Sequence, residues 1–209
     1  MTTTRLPPPA EEPRGAEITR EKLLQATHEL LLERRGADPS VSQICERAGV
    51  QVAMVSYCFG GKAQLLEALV ERTTEVVVGE LNQLAAREVS PEQKLRRHIA
   101  AVIRNFLRYP YTNQLSERLS AGEAATALAN TFAQPMLDFY RRLLADGVAD
   151  SSFREVDPTL LFFSVVGMCE FLFAARSWLE TAAGEQLDEP LIERFTDHTV
   201  ELLLHGIAS

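Results

Sequence analysis

The sequence predicts an all-α protein of about nine helices: an N-terminal three-helix head of helix-turn-helix type, joined by a long helix to a C-terminal helical domain. Apolar residues recur at three- and four-residue spacing along nearly the whole chain. No stretch alternates apolar and polar residues as a half-buried strand does. Residues 40–69, SVSQICERAGVQVAMVSYCFGGKAQLLEAL, hold two short apolar-patterned runs separated by a glycine turn, which is the layout of a helix-turn-helix unit. In such a unit the second helix is the one that enters the major groove of DNA.

Composition narrows the classes. At 209 residues and 46% hydrophobic content the chain can bury a sizeable core in one large or two small domains. A net charge of −8 excludes a protein that coats nucleic acid by bulk electrostatics. Residues 1–70 carry a net −1 and residues 71–209 a net −7, so any DNA contact must come from local basic groups and must weaken with salt. Cys45, Cys58 and Cys169 are widely spaced with no CxxC, which fits a reducing compartment and no disulfide framework. The first twenty residues have no apolar run, so no signal peptide is expected. The most apolar stretch, 160–175, is interrupted by Ser164, Gly167 and Glu170 and is shorter than the ~20 residues of a bilayer crossing. The expectation is a soluble, cytoplasmic protein.

In chain order, residues 1–16 (MTTTRLPPPAEEPRGA) are too rich in proline and too poor in apolar residues to fold, so they are expected as a disordered arm. Arg5 and Arg14 are the arm's basic groups; the plainer reading is a solvated tail. The first helix is predicted over 20–35, with Thr19 as cap, Leu23, Ala26, Leu30 and Leu31 inward, and Gly36 as stop. Asp38-Pro39-Ser40 is turn chemistry. Ser40 is an N-cap with Gln43 in capping-box position, and the helix it starts ends at Ala48, because Gly49 tolerates the left-handed turn that follows. A second short run, Val52 to Tyr57, stops at Gly60-Gly61.

Lys62 opens a long helix that reaches Arg87, with Leu66, Val70, Val77, Leu81 and Leu84 on one face. Ser90, Pro91 and Glu92 cap and start the next, whose stripe is Leu95, Ile99, Val102, Ile103 and Phe106 and whose end is Tyr109-Pro110. Residues 111–121 read as a short helix, and Gly122 to about Asp146 as a longer one kinked at Pro135. Asp157-Pro158 opens a helix over about 158–182 that is apolar nearly all round and therefore expected to be buried on most sides, with Gly184 as its break. Asp188 with Pro190 starts a last helix to about Gly206, with Leu191, Ile192, Phe195, Thr199, Leu202 and Leu203 as its apolar positions. The expected division is an arm 1–16, a head 17–62 and a second domain 63–209.

The head resembles the tetracycline-repressor (TetR) family of bacterial transcription regulators. Arg20, Ala26, Ile44, Ala48, Gly49, Val50, Tyr57, Phe59 and Lys62, followed by Leu65-Leu66, match that family's signature, and Val52 to Lys62 resembles a branch ending in Asn-Tyr-His-Phe-Gly-Gly-Lys. The match covers about fifty residues closely and the rest in helix layout alone. Ser56 stands where the family often has Tyr or Asn, Cys58 where it usually has His, and Gln51 where Ser is common. The resemblance implies a homodimer, held through its last two helices, that binds a palindromic double-stranded DNA operator and releases it when a small molecule enters the second domain.

On that reading Tyr57 and Lys62 hold the DNA backbone, Lys62 beside the free N–H groups of a helix start. Gln51 pairs with a base edge, Val52 and Ala53 make apolar base contacts, Ser56 bonds a phosphate or a base, and Ser40 bonds a phosphate or serves simply as a cap. Cys58 is either a redox-sensitive thiol or a small tolerated replacement. Phe106, Phe132, Met136, Phe139, Phe162, Val166, Glu170 and Phe173 are the candidate lining of a largely apolar effector pocket, ordinary core being the plainer reading of each. Glu170 lies on the apolar face of its helix, so it must anchor a ligand or meet Arg104, Arg108 or Arg176. No metal site, cofactor or enzymatic activity is expected: histidines 28, 98, 198 and 205 are isolated and no phosphate loop is present. The rival reading is a helical dimeric module whose head contacts protein instead of DNA.

Overall fold

The computed structural model describes residues 15–34, 36–119 and 123–208; the arm residues 1–14 with Arg5 and Arg14, and Gly122 as a helix start, lie outside them. The described residues form helices and no strand, with one isolated antiparallel bridge between Phe153 and Ala208. In chain order the helices are α1 (Gly15–Glu33), α2 (Val41–Ala48), α3 (Ala53–Phe59), α4 (Lys62–Ala85), α5 (Pro91–Arg108), α6 (Thr112–Leu119) and α7 (Glu123–Leu128). A π-helical turn over Ala129–Ala133 leads into α8 (Gln134–Ala149), followed by α9 (Pro158–Ala174) and the short α10 (Arg176–Trp178). A second π-helical turn, Leu179–Ala183, precedes α11 (Glu189–Ile207).

Contacts divide the chain into two compact units. The first comprises residues up to Val76 together with Tyr109–Leu128; the second comprises Val77–Arg108 and Ala129–Ser209. This cuts the chain differently from a linear split after Lys62. Tyr109, Tyr111 and Leu115 are buried in the same apolar cluster as Leu23, Leu31, Ile44, Val55, Leu65 and Leu69, so packing returns 109–119 to the head. His28 is fully buried there, hydrogen-bonded through Nδ1 to the Tyr111 hydroxyl and edge-on to its ring. Arg47 on α2 grips the Glu33 carboxylate of α1 with two 2.8 Å hydrogen bonds, which holds that carboxyl below its usual range.

Local signals place most boundaries. Ser40 Oγ accepts from Gln43 N while Gln43 Oε1 accepts from Ser40 N, and Gly49 ends α2 in the left-handed region at φ 67°. Asp157 and Asp188 cap α9 and α11. Helix α1 starts earlier than predicted, at Gly15: Thr19 Oγ1 donates to the Gly15 carbonyl from inside the helix and caps nothing. The predicted helix from Gly122 to Asp146 is interrupted by the 129–133 π turn just before Pro135, whose missing N–H and ring cannot continue an α-helical ladder. The predicted 158–182 helix is also not continuous; it bends by 57° between Pro158–Ala174 and Arg176–Ala183. Those two pieces reach membrane-crossing length only as this bent pair, and among the described residues no single helix is long and apolar enough to cross.

The second unit's core runs from Leu81 and Leu84 through Leu95, Ile99, Ile103, Tyr140 and Val165 to Leu203 and Ile207. Leu202, expected inward, is more than half exposed, because α11 turns Leu204 to the core beside the expected Leu203. His98 is buried against Phe139, with Nε2 2.9 Å from the Tyr140 hydroxyl. Burial pushes the His98 imidazole down from 6.5 to about 4. The folded state therefore holds it neutral while the unfolded chain takes up a proton, so stability is complete above pH 6.5 and drains as pH falls toward 4. We expect the urea midpoint of the intact chain to fall across that window, and His98→Gln to flatten the fall; an equally steep loss in the variant would place its origin elsewhere. Gly147 is close-packed: a Cβ there would lie 2.1 Å from the Phe153 ring, itself 3% exposed. Gly147→Ala should cost about 1–3 kcal/mol by denaturant titration, and an unchanged midpoint would mean the ring can swing aside.

Candidate nucleic-acid interface and ligand site

Helix α3 is anchored by Val55 and offers Ala53, Ser56 and Tyr57 outward. Val55 is buried, and Met54, Cys58 and Phe59 pack partly against the head core. The Arg20 guanidinium of α1 lies 4.8 Å over the Phe59 ring, a cation–π contact that ties the end of α3. With those positions fixed, Ser40, Gln51, Val52, Ala53, Ser56 and Tyr57 are exposed on the head, and Cys58 and Lys62 are half-buried. Tyr57 is 76% exposed, so its ring is not part of the core and a purely packing role is removed. Ser40 performs the capping role expected of it.

Lys62, expected to hold a DNA phosphate beside the free N–H groups of a helix start, has a carboxylate partner within the chain. Its Nζ makes a 2.9 Å ion pair with Asp38 in the turn before α2. This partner is not legible from sequence: Asp38 reads as a turn residue, and only the fold brings the starts of α2 and α4 together. Other head cations are also engaged, Arg47 with Glu29 and Glu33, and Arg34 with Gln43.

In the second unit, seven of the eight expected pocket residues belong to one apolar cluster. Met136, Phe139 and Phe162 are buried, with Phe106, Phe132, Val166 and Phe173 packed against the same core. The Phe106 and Phe173 rings stack at 5.6 Å. The eighth, Glu170, is half-buried, and no hydrogen bond or ion pair engages its side chain among the described residues. Two of its expected partners are taken: Arg108 pairs with Glu80 at 2.7 Å and Arg176 with Glu180 at 2.8 Å. A separate crevice of about 490 Å³ opens along α4, α5 and α8, with an apolar floor of Val78, Leu81, Ala85, Phe139 and Leu143. Lys94, Asp138, Arg142 and Asp146 supply charge to its walls, and Phe139 is its single residue from the expected set. Sequence reading passed over it because Asp138, Arg142 and Asp146, four apart on α8, look like an ordinary solvated face.

Helix α9 is buried on one side only, which corrects the expectation of burial nearly all round. Leu160, Phe163, Ser164, Gly167, Phe171 and Ala174 are exposed at helical spacing, and Trp178 continues the stripe beyond the bend. Leu160, Phe163 and Phe171 are each at least 60% exposed, a concentration of large apolar side chains that marks an interaction surface.

Comparison with known proteins agrees with this geometry. The family profile of bacterial regulatory proteins, tetR family, matches residues 23–69, and the profile of the tetracyclin repressor-like C-terminal domain matches residues 88–209. The HTH-type transcriptional regulator BetI of Escherichia coli O17:K52:H18 is 32% identical over 192 residues, which cover 88% of this chain and 92% of that protein. Among solved structures, a transcriptional regulator of the TetR/AcrR family from Thermobifida fusca has a TM-score of 0.69 at 21% identity, covering 87% of this chain and 96% of its own. The transcriptional regulator FadR of Bacillus subtilis, solved with stearoyl-CoA, has a TM-score of 0.68 at 18% identity, covering 89% and 98%. The chain belongs to the tetR family of bacterial transcription regulators and is a DNA-binding regulator of the helix-turn-helix type.

Proposed function

We propose that the protein is a cytoplasmic repressor that acts as a homodimer, its two heads occupying successive major grooves of a palindromic operator. The observation that carries this is the outward edge of the head, where Gln51, Val52, Ala53, Ser56 and Tyr57 are exposed on a capped helix-turn-helix. Gln51 is the one side chain of this set able to pair bidentately with an adenine edge, and Tyr57 with Lys62 serves the phosphate backbone. The exposed stripe of α9, together with α11, supports an isologous two-fold interface that matches a two-fold operator. Gly167 sits within that stripe, and a Cβ there would meet nothing within 4 Å in the single chain, leaving room for a close helix approach.

The effector is a small, largely apolar molecule held among the aromatic residues of the second unit, with Glu170, unpaired among the described residues, as its polar anchor. FadR, a structural neighbour, was solved with a long acyl thioester, which supports an apolar ligand class. Helix α4 contributes to both units, so an effector that favours one setting of α4 shifts the population of DNA-competent dimers.

Fluorescence anisotropy with a duplex from the chain's own upstream region, repeated across salt, tests the reading. Affinity should fall steeply as salt rises; salt-independent or absent binding would favour a head that contacts protein. Lys62→Ala should weaken the upstream duplex and an unrelated duplex by the same factor, whereas Gln51→Ala should weaken the upstream duplex by about ten-fold or more and the unrelated one little. Equal losses for both variants on both duplexes would remove Gln51 from base reading. Phe163→Glu should convert the dimer to monomer by light scattering and abolish operator binding, and a persisting dimer would take α9 out of the interface.

A further inference from the structure

Two cations from distant parts of the chain reach one carboxylate. Lys62 Nζ lies 2.9 Å from Asp38 Oδ2, and Arg118 Nη1 lies 3.9 Å from the same oxygen. Asp38 stands two residues before the Ser40 cap, Lys62 is the first residue of α4, and Arg118 is in the last turn of α6. All three belong to the first unit. Their side chains remain 30%, 38% and 50% exposed for Lys62, Asp38 and Arg118, so the cluster faces water, and an ion pair of this kind is weak. A carboxylate oxygen and a phosphate oxygen offer an ammonium and a guanidinium the same kind of ligand.

We propose that Lys62 and Arg118 form a two-cation seat for a DNA backbone phosphate, that Asp38 fills this seat in the free protein, and that Arg118 thereby extends the DNA interface beyond the helix-turn-helix. The proposal rests on the DNA-binding reading above and adds a residue that the motif does not contain. On binding, the phosphate displaces the Asp38 carboxylate from both cations and no covalent bond changes. Asp38 acts as an internal competitor that lowers affinity for every DNA sequence alike, so that binding depends more on the bases read by α3. In a head of net charge near zero, such a device restrains unspecific association without removing the cations.

The plain rival is a structural tie between the α2 turn, α4 and α6, and the two readings predict opposite signs. Anisotropy with a mixed-sequence duplex and with the upstream duplex, between about 50 and 200 mM salt, gives affinity and its salt slope, and a thermal melt of each variant reports the fold. Asp38→Asn should raise affinity for both duplexes about two- to five-fold. Arg118→Ala should lower it and reduce the salt slope by about 0.9 for each head bound, and Arg118→Lys should restore the slope. Weaker DNA binding by Asp38→Asn together with a lower melting temperature would establish the tie and overturn the seat. A wild-type salt slope in Arg118→Ala would also overturn it. If Arg118→Ala fails to fold, the slope of the charge-removing, side-chain-retaining Arg118→Gln and the sign of the Asp38→Asn effect decide. Wild-type protein that binds neither duplex defeats the DNA-binding reading itself, whereas wild-type binding with an indifferent Arg118 defeats this proposal alone.

Discussion

The backbone hydrogen bonds at the two ends of α2 are the constraint on which the head depends. Ser40 and Gln43 satisfy each other's N–H groups at the start, and Gly49 takes the left-handed conformation that lets its own N–H and that of Val50 close the end. A helix of eight residues is marginal by itself. With both ends pinned its length cannot drift, so the chain leaves it in a fixed direction and α3 starts at a fixed angle. That angle puts Val55 into the core and Gln51, Ser56 and Tyr57 into solvent. A side chain at Gly49 would meet no steric neighbour but would strain the backbone at φ 67°, so the requirement there is conformational.

The head is completed by a segment remote in sequence. Tyr109, Tyr111 and Leu115 follow α5, whose body belongs to the second unit, yet they are buried with α1 and the first part of α4. Tyr111 supplies a hydroxyl to His28, a polar group that would otherwise be costly in that core. The DNA-binding unit is thus discontinuous in the chain, and the second unit is joined to it covalently at three places, within α4, at Arg108–Tyr109 and at Leu128–Ala129.

Much of the helical plan was legible because it is written in local chemistry: caps at Ser40, Ser90, Asp157 and Asp188, a stop at Gly49, and stripes such as Leu95, Ile99 and Ile103. Legibility failed where a long-range contact or a backbone irregularity decided the outcome. The π turn before Pro135 and the bend after Ala174 do not follow from apolar periodicity, which runs through both. The all-round apolarity of α9 read as burial, but among the described residues one side of the helix is exposed. Apolar residues exposed to solvent look in sequence like apolar residues facing a core.

By itself the sequence determined the fold class, the helix-turn-helix and the edge from Gln51 to Tyr57 that it displays, since capping, glycine conformation and helical spacing act over a few residues. Only the tertiary structure decided what the charged side chains do. It paired Lys62 with Asp38 and Arg108 with Glu80, and it left Glu170 without a partner among the described residues. The physical reason is one of range: a hydrogen-bonded turn is fixed by neighbours in the chain, whereas an ion pair is fixed by whichever helices packing brings within about 4 Å.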